Sequence, residues 1–193
     1  MAVIKVLTPK FRVSYPHVFK PQLNKLNNKE EYSVQALFKK GEDLSVLINA
    51  VKQAATEKWG SWEKRPKNFR SPFRDQADRG KEENGKISLP AGHEAGAIFI
   101  TLKSKERPGL VDQKVQDIIE ETDFYAGCYA RAKVTVYAYS QAGNNGVAFG
   151  LQNLQKWGDG EPLGNRLRAQ DDFEAIEGAE ESLNSSEDIF ATM

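Results

Sequence analysis

Residues 128–151 follow a two-residue alternation that constrains the fold more than any other stretch of the chain. From Cys128 to Ala138 every second residue is small and apolar, and the residues between them are polar or aromatic. Successive side chains of a strand point to opposite faces, so this pattern predicts a strand with one buried face. Gly143 and Gly146 flank an Asn pair and predict a turn, after which the alternation resumes. The segment therefore predicts two long antiparallel strands.

The predicted outward row combines three aromatic rings with two cations: Tyr129, Arg131, Lys133, Tyr137 and Tyr139. Rings that stack on bases and cations that meet phosphates are the chemistry of single-stranded nucleic-acid binding. We therefore predict that this row contacts a nucleic-acid strand. For Tyr137 the alternative is burial against a helix.

A second concentration of rings and cations lies in residues 58–74. Residues 58–86 show no periodicity of a regular element, and so long a loop tends to be functional or disordered. The loop residues predicted to contact nucleic acid are Trp59, Trp62, Lys64, Arg65, Lys67, Phe69, Arg70, Phe73 and Arg74. The alternative for individual rings, Trp59 and Phe73 in particular, is that they anchor the loop in the core.

Three further strands and one helix are predicted elsewhere in the body. Alternation predicts strands at 10–19, where Pro16 ends or bends the strand, and at 31–39, and an apolar run predicts a buried strand at 97–103. A helix is expected from Gly41 to about Lys58. Its apolar face is predicted to hold Leu44, Leu47, Ile48, Val51 and Ala55.

These elements predict a mainly β protein. About five strands, with an inserted α-helix and long loops, fit a barrel of the oligonucleotide/oligosaccharide-binding (OB) type. A β-sandwich would give a similar pattern and is the alternative.

Charge divides the chain into two predicted parts. Residues 1–168 hold all 27 basic residues and 19 of the 27 acidic ones, a net charge of +8, whereas residues 169–193 hold eight acidic residues and no basic ones. The second part also lacks the apolar density to fold. We expect an OB-fold binding domain at 1–168 and a disordered acidic tail at 169–193.

Several classes of function are disfavoured by composition. A single Cys128 cannot form an intramolecular disulfide and is read as a small core residue, and two histidines argue against a transition-metal site. The acidic turn at Glu120, Glu121 and Asp123 is interpreted as a solvated bend rather than a metal site. We expect no catalytic residues, no metal and no cofactor. The sequence contains no apolar run long enough to span a membrane, so we expect a cytoplasmic protein.

Five motifs in order carry a family resemblance: RPGLVD at 107–112, YAGCY at 125–129, VYAY at 136–139, GVAFGLQN at 146–153 and DGEPLG at 159–164. In this order and spacing the chain resembles the single-stranded-DNA-binding proteins of tailed bacteriophages, a family first catalogued as a domain of unknown function and later found to have the OB fold. The resemblance covers most of residues 8–168. It implies sequence-tolerant binding of single-stranded DNA (ssDNA), without enzyme activity, in phage DNA replication or recombination in the host cytoplasm.

The tail is predicted to compete with DNA and to recruit phage replication or recombination proteins. The residues predicted to bind partners are Asp171, Asp172, Glu180, Glu181, Glu187, Asp188, Ile189 and Phe190. The segment Asp188-Ile189-Phe190 resembles the acidic tip of bacterial ssDNA-binding proteins. It lacks the proline of that tip and is followed by three more residues, so a partner that grips the terminal carboxylate is poorly matched. A tail that serves only solubility is the alternative.

Other functions stay open at this level. Stacking and phosphate contacts barely distinguish DNA from RNA, so an RNA-binding OB protein is one alternative. A non-DNA scaffold or a metal-dependent nuclease of a replication complex is another, although no convergent set of acids and histidines supports a nuclease. No recognisable pattern encodes the oligomeric state, the DNA footprint or the cooperativity. A homo-oligomer is among the open states.

Overall fold

Strands make up nearly half of residues 3–164, the part of the chain that the computed structural model describes. The elements are β1 (Ile4–Leu7), β2 (Phe11–Asn24), β3 (Lys29–Leu37), α1 (Ser45–Trp59), β4 (Phe69–Arg70), β5 (Arg74–Asp75), β6 (Lys81–Glu83), β7 (Lys86–Ser88), β8 (Ile98–Ser104), β9 (Gly109–Val111), β10 (Tyr129–Gln141) and β11 (Asn144–Gly158). Short 3₁₀ turns occupy Gln76–Arg79 and Glu121–Asp123. The predicted acidic tail, with its partner-binding residues from Asp171 to Phe190, lies outside the described residues.

Five strands close into a ring in the order β10, β2, β3, β8, β11. Strand β11 pairs with β8 on one side and with β10 on the other, which completes the ring. The β8–β11 pair is parallel, whereas the other pairs of the ring are antiparallel. A closed five-stranded ring with an inserted helix is the predicted OB barrel, so the predicted fold class is confirmed and the sandwich alternative is wrong.

The inward rows of the ring strands meet in one apolar core. Phe11, Val34, Leu102 and Val134 are all fully or almost fully buried. Helix α1 packs against β10 and β1, and its buried residues are Leu47, Ala50, Val51, Ala54 and Ala55. In the described part of the chain no helix has the length and apolar character needed to cross a membrane.

The helix begins four residues later than predicted. Asp43 precedes the helix, and its carboxylate accepts a hydrogen bond from the Ser45 backbone N–H at 2.9 Å, which lowers the pKa of Asp43. The helix ends at Gly60, whose positive φ of 88° is one that glycine adopts without steric cost. The prediction for Ile48 was wrong, because this side chain is 40% exposed. The small residues Ala50 and Ala54 fill the buried face instead.

The turn between β10 and β11 also differs from the prediction. Gln141 pairs with Asn144, so the turn consists of Ala142 and Gly143, and the Asn pair belongs to β11. Both turn residues have positive φ, 49° and 79°, as a two-residue hairpin turn of type I′ requires.

Strand β2 breaks its alternation after Val13. Tyr15 has a positive φ of 45°, and the pairing with β3 shifts between Ser14 and His17. As a result Ser14 is buried and Tyr15 is 42% exposed, whereas alternation assigned Tyr15 to the apolar row. The strand bends at Pro16 but does not end there.

The segment at 58–86 is not wholly irregular, since it contains β4, β5 and β6, and β7 begins at its last residue. Its β5 pairs with the start of β8, and the guanidinium of Arg74 lies 5.4 Å from the ring centroid of Phe99. The Gln76 amide donates to the carbonyls of Phe38 and Ile98 at 2.9 and 3.0 Å. Leu37 and Phe99 occupy outward positions, yet both are buried. This segment therefore covers one end of the outer face of β3 and β8.

Candidate nucleic-acid interface

The outward row of β10 is accessible, and the inward row is buried. Cys128, Ala130, Ala132 and Val134 are at most 1% exposed. The five predicted contact residues of the strand all lie in the opposite row and are half-buried or exposed: Tyr129, Arg131, Lys133, Tyr137 and Tyr139. The predicted division of β10 into two faces is confirmed.

Small residues on β11 face this row of rings. Gly146, Ala148 and Gly150 pair with Tyr139, Tyr137 and Thr135. A Cβ atom at Gly146 would lie 2.7 Å from the Tyr139 hydroxyl, and one at Gly150 would lie 3.6 Å from the Tyr137 ring. The tyrosine side chains therefore lie across the glycine positions, which leaves a shallow surface over two strands.

Tyr137 is about half exposed, at 51%, although it lies close to helix α1. Burial and then the nearby charge of Glu31 raise the pKa of its phenol. Glu31 itself accepts hydrogen bonds from Asn24 and Asn27 at 2.9 Å and pairs with Lys103 at 3.4 Å. Partial burial of the Glu31 carboxylate raises its pKa, but these three partners outweigh burial, so the pKa of Glu31 is lowered. Complete burial of Tyr137 against the helix is therefore excluded.

Two residues that the sequence analysis missed extend the row beyond Tyr129. Trp157 is 51% exposed, and the Arg131 guanidinium lies 5.4 Å from its ring centroid. The Lys10 ammonium lies 5.7 Å from the Trp157 centroid and 5.6 Å from that of Tyr129. Arg131 is also oriented by a hydrogen bond of 2.9 Å to the Gln155 side chain. These contacts form a group of two rings and two cations at one end of the row.

Trp157 lies at a point where the alternation of β11 is interrupted, so the sequence pattern gives no signal for it. Leu151 and Leu154 are both buried, which reflects a register shift between their pairings with Val134 and Ala132. A second shift at Trp157 lies opposite Tyr129 and Ala130. Strict alternation fails at each shift, so the sequence analysis ended the strand too early.

The loop at 58–74 meets the other end of the row. Arg70 pairs with Gly146, the residue opposite Tyr139. Asn68 donates to the Gly143 carbonyl at 2.6 Å and accepts a hydrogen bond from the Asn145 side chain at 2.9 Å. The structure therefore brings Tyr139 and Arg70 together at the hairpin end.

The rings of this loop pack inward. Trp59 and Trp62 contact Phe69 edge-on, with centroids 5.9 and 5.5 Å apart, and Phe73 contacts Phe149 of the core at 5.9 Å. Arg65 lies 4.1 Å from the Trp62 centroid. All four predicted loop rings are partly buried against the core. Such packing favours the anchoring alternative for these rings, and their contact with nucleic acid stays a prediction.

Among the exposed cations predicted in the loop, Arg74 differs from the other three in its contacts. Lys64, Lys67 and Arg70 are exposed. Arg74 is also exposed, but it pairs with Asp78 at 3.4 Å and lies over Phe99, away from the hairpin end.

Within residues 3–164, His, Cys, Asp and Glu side chains do not form any group of three or more that would hold a metal ion. Glu121 of the acidic turn instead pairs with Lys20 at 3.5 Å. Cys128 is fully buried, and burial raises the pKa of its thiol to about 11, as suits a core residue.

Comparison with known proteins agrees with this fold. No curated protein sequence matches the chain at a significant level. The fold is similar to the single-stranded DNA-binding protein from bacteriophage Enc34 in complex with ssDNA, with a TM-score of 0.63, 16% identity, and coverage of 83% of this chain and 89% of that chain. It is also similar to gp2.5, a single-stranded DNA-binding protein encoded by bacteriophage T7, with a TM-score of 0.56, 15% identity, and coverage of 87% and 99%.

At these identities the structural similarity establishes the fold, and the family follows from the sequence. Residues 4–183 match the family model described as the ssDNA-binding protein of Enterobacter phage Enc34. The family and the structural neighbours are binding proteins and not enzymes. Because the match covers most of the chain, the protein belongs to the family of the Enterobacter phage Enc34 ssDNA-binding protein, in agreement with the resemblance carried by its motifs.

Proposed function

We propose that the protein binds ssDNA with little sequence preference along the outward row of β10, and that it acts in phage DNA replication or recombination inside the host cell. The observation that carries the proposal is the row of accessible rings and cations that extends from Trp157 and Tyr129 to Tyr139 and is interrupted only by Thr135. Family membership supports the same ligand.

The row has a length that suits several nucleotides. Ten residue steps separate Tyr129 from Tyr139, which corresponds to roughly 33 Å at about 3.3 Å per residue. Each ring that stacks on a base contributes about 1–3 kcal/mol, and every base has a flat face, so little sequence preference follows. Arg131 and Lys133 neutralise phosphates and release counterions.

Affinity for oligo-dT, measured against salt concentration, tests the proposal. Replacing Arg131 and Lys133 by Ala removes two phosphate contacts and should reduce the slope of log K against log[salt] by about 1.4, at roughly 0.7 for each contact. The matched control is Lys81→Ala/Lys86→Ala, which removes the same charge from the separate β6–β7 hairpin. A flat salt dependence of the wild-type protein, or an unchanged slope in Arg131→Ala/Lys133→Ala, would contradict the proposal.

The tail is proposed to compete with DNA for the same row. Support comes from the last described segment, since Arg12 donates to the Glu161 carbonyl at 2.7 Å and Leu163 N–H donates to Ala126 at 2.8 Å. A Cβ atom at Gly160 would lie 2.9 Å from the Tyr129 ring. The last described residues of the body thus lie beside the row, and the net charge of −8 of residues 169–193 opposes the +8 of the body. Deletion of residues 170–193 should tighten binding at low salt, whereas an unchanged dissociation constant would favour a solubility role.

The proposed recruitment of replication or recombination proteins concerns the tip of the tail. Phage proteins that bind the full-length chain should lose that binding when Phe190 is replaced by Ala. Competition between oligo-dT and oligo-rU separates the DNA function from RNA binding, because stacking and phosphate contacts barely distinguish the two sugars.

A further inference from the structure

A cleft of about 490 Å³ opens beside Tyr129, at the end of the row that also carries Lys10. Phe11, Phe38 and Gln76 line it and are at most 2% exposed. Because these side chains belong to the packed interior, the cleft is closed at its base. Its volume is within the range of sites that hold a small organic ligand, about 300–1,000 Å³.

Cations outnumber carboxylates around the cleft. Its charged residues are Lys10, Arg12, Lys39, Lys40, Glu42 and Glu94. Arg12 donates to the carbonyls of Gly127 and Glu161, so its guanidinium is already engaged. The four ion pairs among the described residues do not include the three lysines. Lys10 lies over the Tyr129 and Trp157 rings and Lys40 has a favourable charge interaction with Asp75, but all three ammonium groups are on exposed side chains and accessible to an anion.

We propose that this cleft binds the phosphorylated terminal nucleotide of the DNA strand that lies along β10; this rests on the function proposed above. A closed base prevents the strand from passing through the cleft, so the last nucleotide enters it without the backbone having to turn back out. Its base would lie against Tyr129, and its phosphate would meet Lys39 and Lys40. A terminal phosphate monoester carries more negative charge than an internal diester, which the cluster of lysines favours.

The test compares oligo-dT strands of one length with a 5′-phosphate, with a 3′-phosphate and with neither. We expect one phosphorylated strand to bind about tenfold more tightly than the unphosphorylated strand, and the preferred end identifies the strand polarity. Lys39→Gln/Lys40→Gln should abolish this preference, and the control Lys81→Gln/Lys86→Gln should retain it. Equal affinity for the three strands, or a preference that persists in Lys39→Gln/Lys40→Gln, would overturn the proposal.

If the proposed function is wrong, the unphosphorylated strand does not bind at all. This result differs from equal binding of the three strands, which would overturn only the cleft proposal. In that case NMR titrations with dTMP and with thymidine still test the cleft. Shifts of the Lys39 and Tyr129 amide signals by dTMP, but not by thymidine, would support a phosphate site. The absence of shifts with dTMP would overturn it.

Discussion

Strand β10 and the loop at residues 58–74 carry similar side chains, yet they orient their rings in opposite directions. On the strand, Tyr137 faces away from the core and is about half exposed. In the loop, Trp62 and Phe69 contact each other and pack against the core. The pleat of a strand sends alternate side chains outward whatever their polarity. A loop has no such constraint, so its apolar rings turn toward the interior.

The cations of the two regions differ less than the rings. Lys133 on the strand and Lys64 and Lys67 in the loop are all exposed. At the proposed interface the strand would therefore offer both stacking and charge to DNA, whereas the loop would offer charge. The contrast separates rings that pack into the fold from rings that are accessible to a ligand.

The largest expected effect is on stability, from a ring of the loop. Phe69→Ala should lower the free energy of unfolding by about 2–3 kcal/mol, since a partly buried Phe loses its contacts with two Trp rings and leaves a cavity. Tyr137→Ala should cost about 0.5 kcal/mol, as surface substitutions do. Urea denaturation measures both. A larger cost for Tyr137→Ala than for Phe69→Ala would reverse the assignment of the two regions.

The second largest effect is expected at the hairpin end of β10 and β11, where the loop meets the strand. Gly146→Ala places a Cβ atom 2.7 Å from the Arg70 carbonyl and from the Tyr139 hydroxyl. One of these must move, so the substitution should cost about 2 kcal/mol of stability, as overpacking does. It should also weaken oligo-dT binding by displacing Tyr139 or β4.

Gly158→Ala is the matched control on the same strand, because a Cβ atom there meets open space. Urea denaturation and an oligo-dT titration compare the two variants. If they are equally stable and bind equally well, the loop does not pack tightly against the hairpin end.

The sequence predicts β10 well because the physical cause is local. A period of two fixes which face each residue occupies, so the buried row of Ala130 and Val134 and the outward row of Arg131 and Lys133 follow from spacing alone. These predictions do not depend on knowing what packs against the strand. The closed ring of five strands does depend on long-range pairing, since segments of the same number and length also fit a β-sandwich.

Features that depend on register or on distant neighbours were missed. Trp157 lies beyond two register shifts in β11, and Lys10 joins it only through the pairing of β10 with β2. Tyr15 leaves its row because of a single residue with positive φ. The packing of the loop rings against the core also does not follow from the sequence, because composition reveals which groups are present but not the direction in which they point.

The smallest expected effect is on the affinity for oligo-dT at two salt concentrations, which separates the contribution of stacking from that of charge. Lys64→Ala/Lys67→Ala should weaken oligo-dT binding a few-fold at low salt, and this difference should vanish at 1 M salt, where the Debye length is about 3 Å. Tyr137→Ala should weaken binding by about 1 kcal/mol or more at both salt concentrations, because stacking is not screened. Fluorescence titrations of both variants at the two concentrations make the comparison. An effect of Tyr137→Ala that disappears at 1 M salt would mean that the strand, like the loop, contributes mainly charge. A loop variant whose defect persists at 1 M salt would mean that the loop also makes close contacts with DNA.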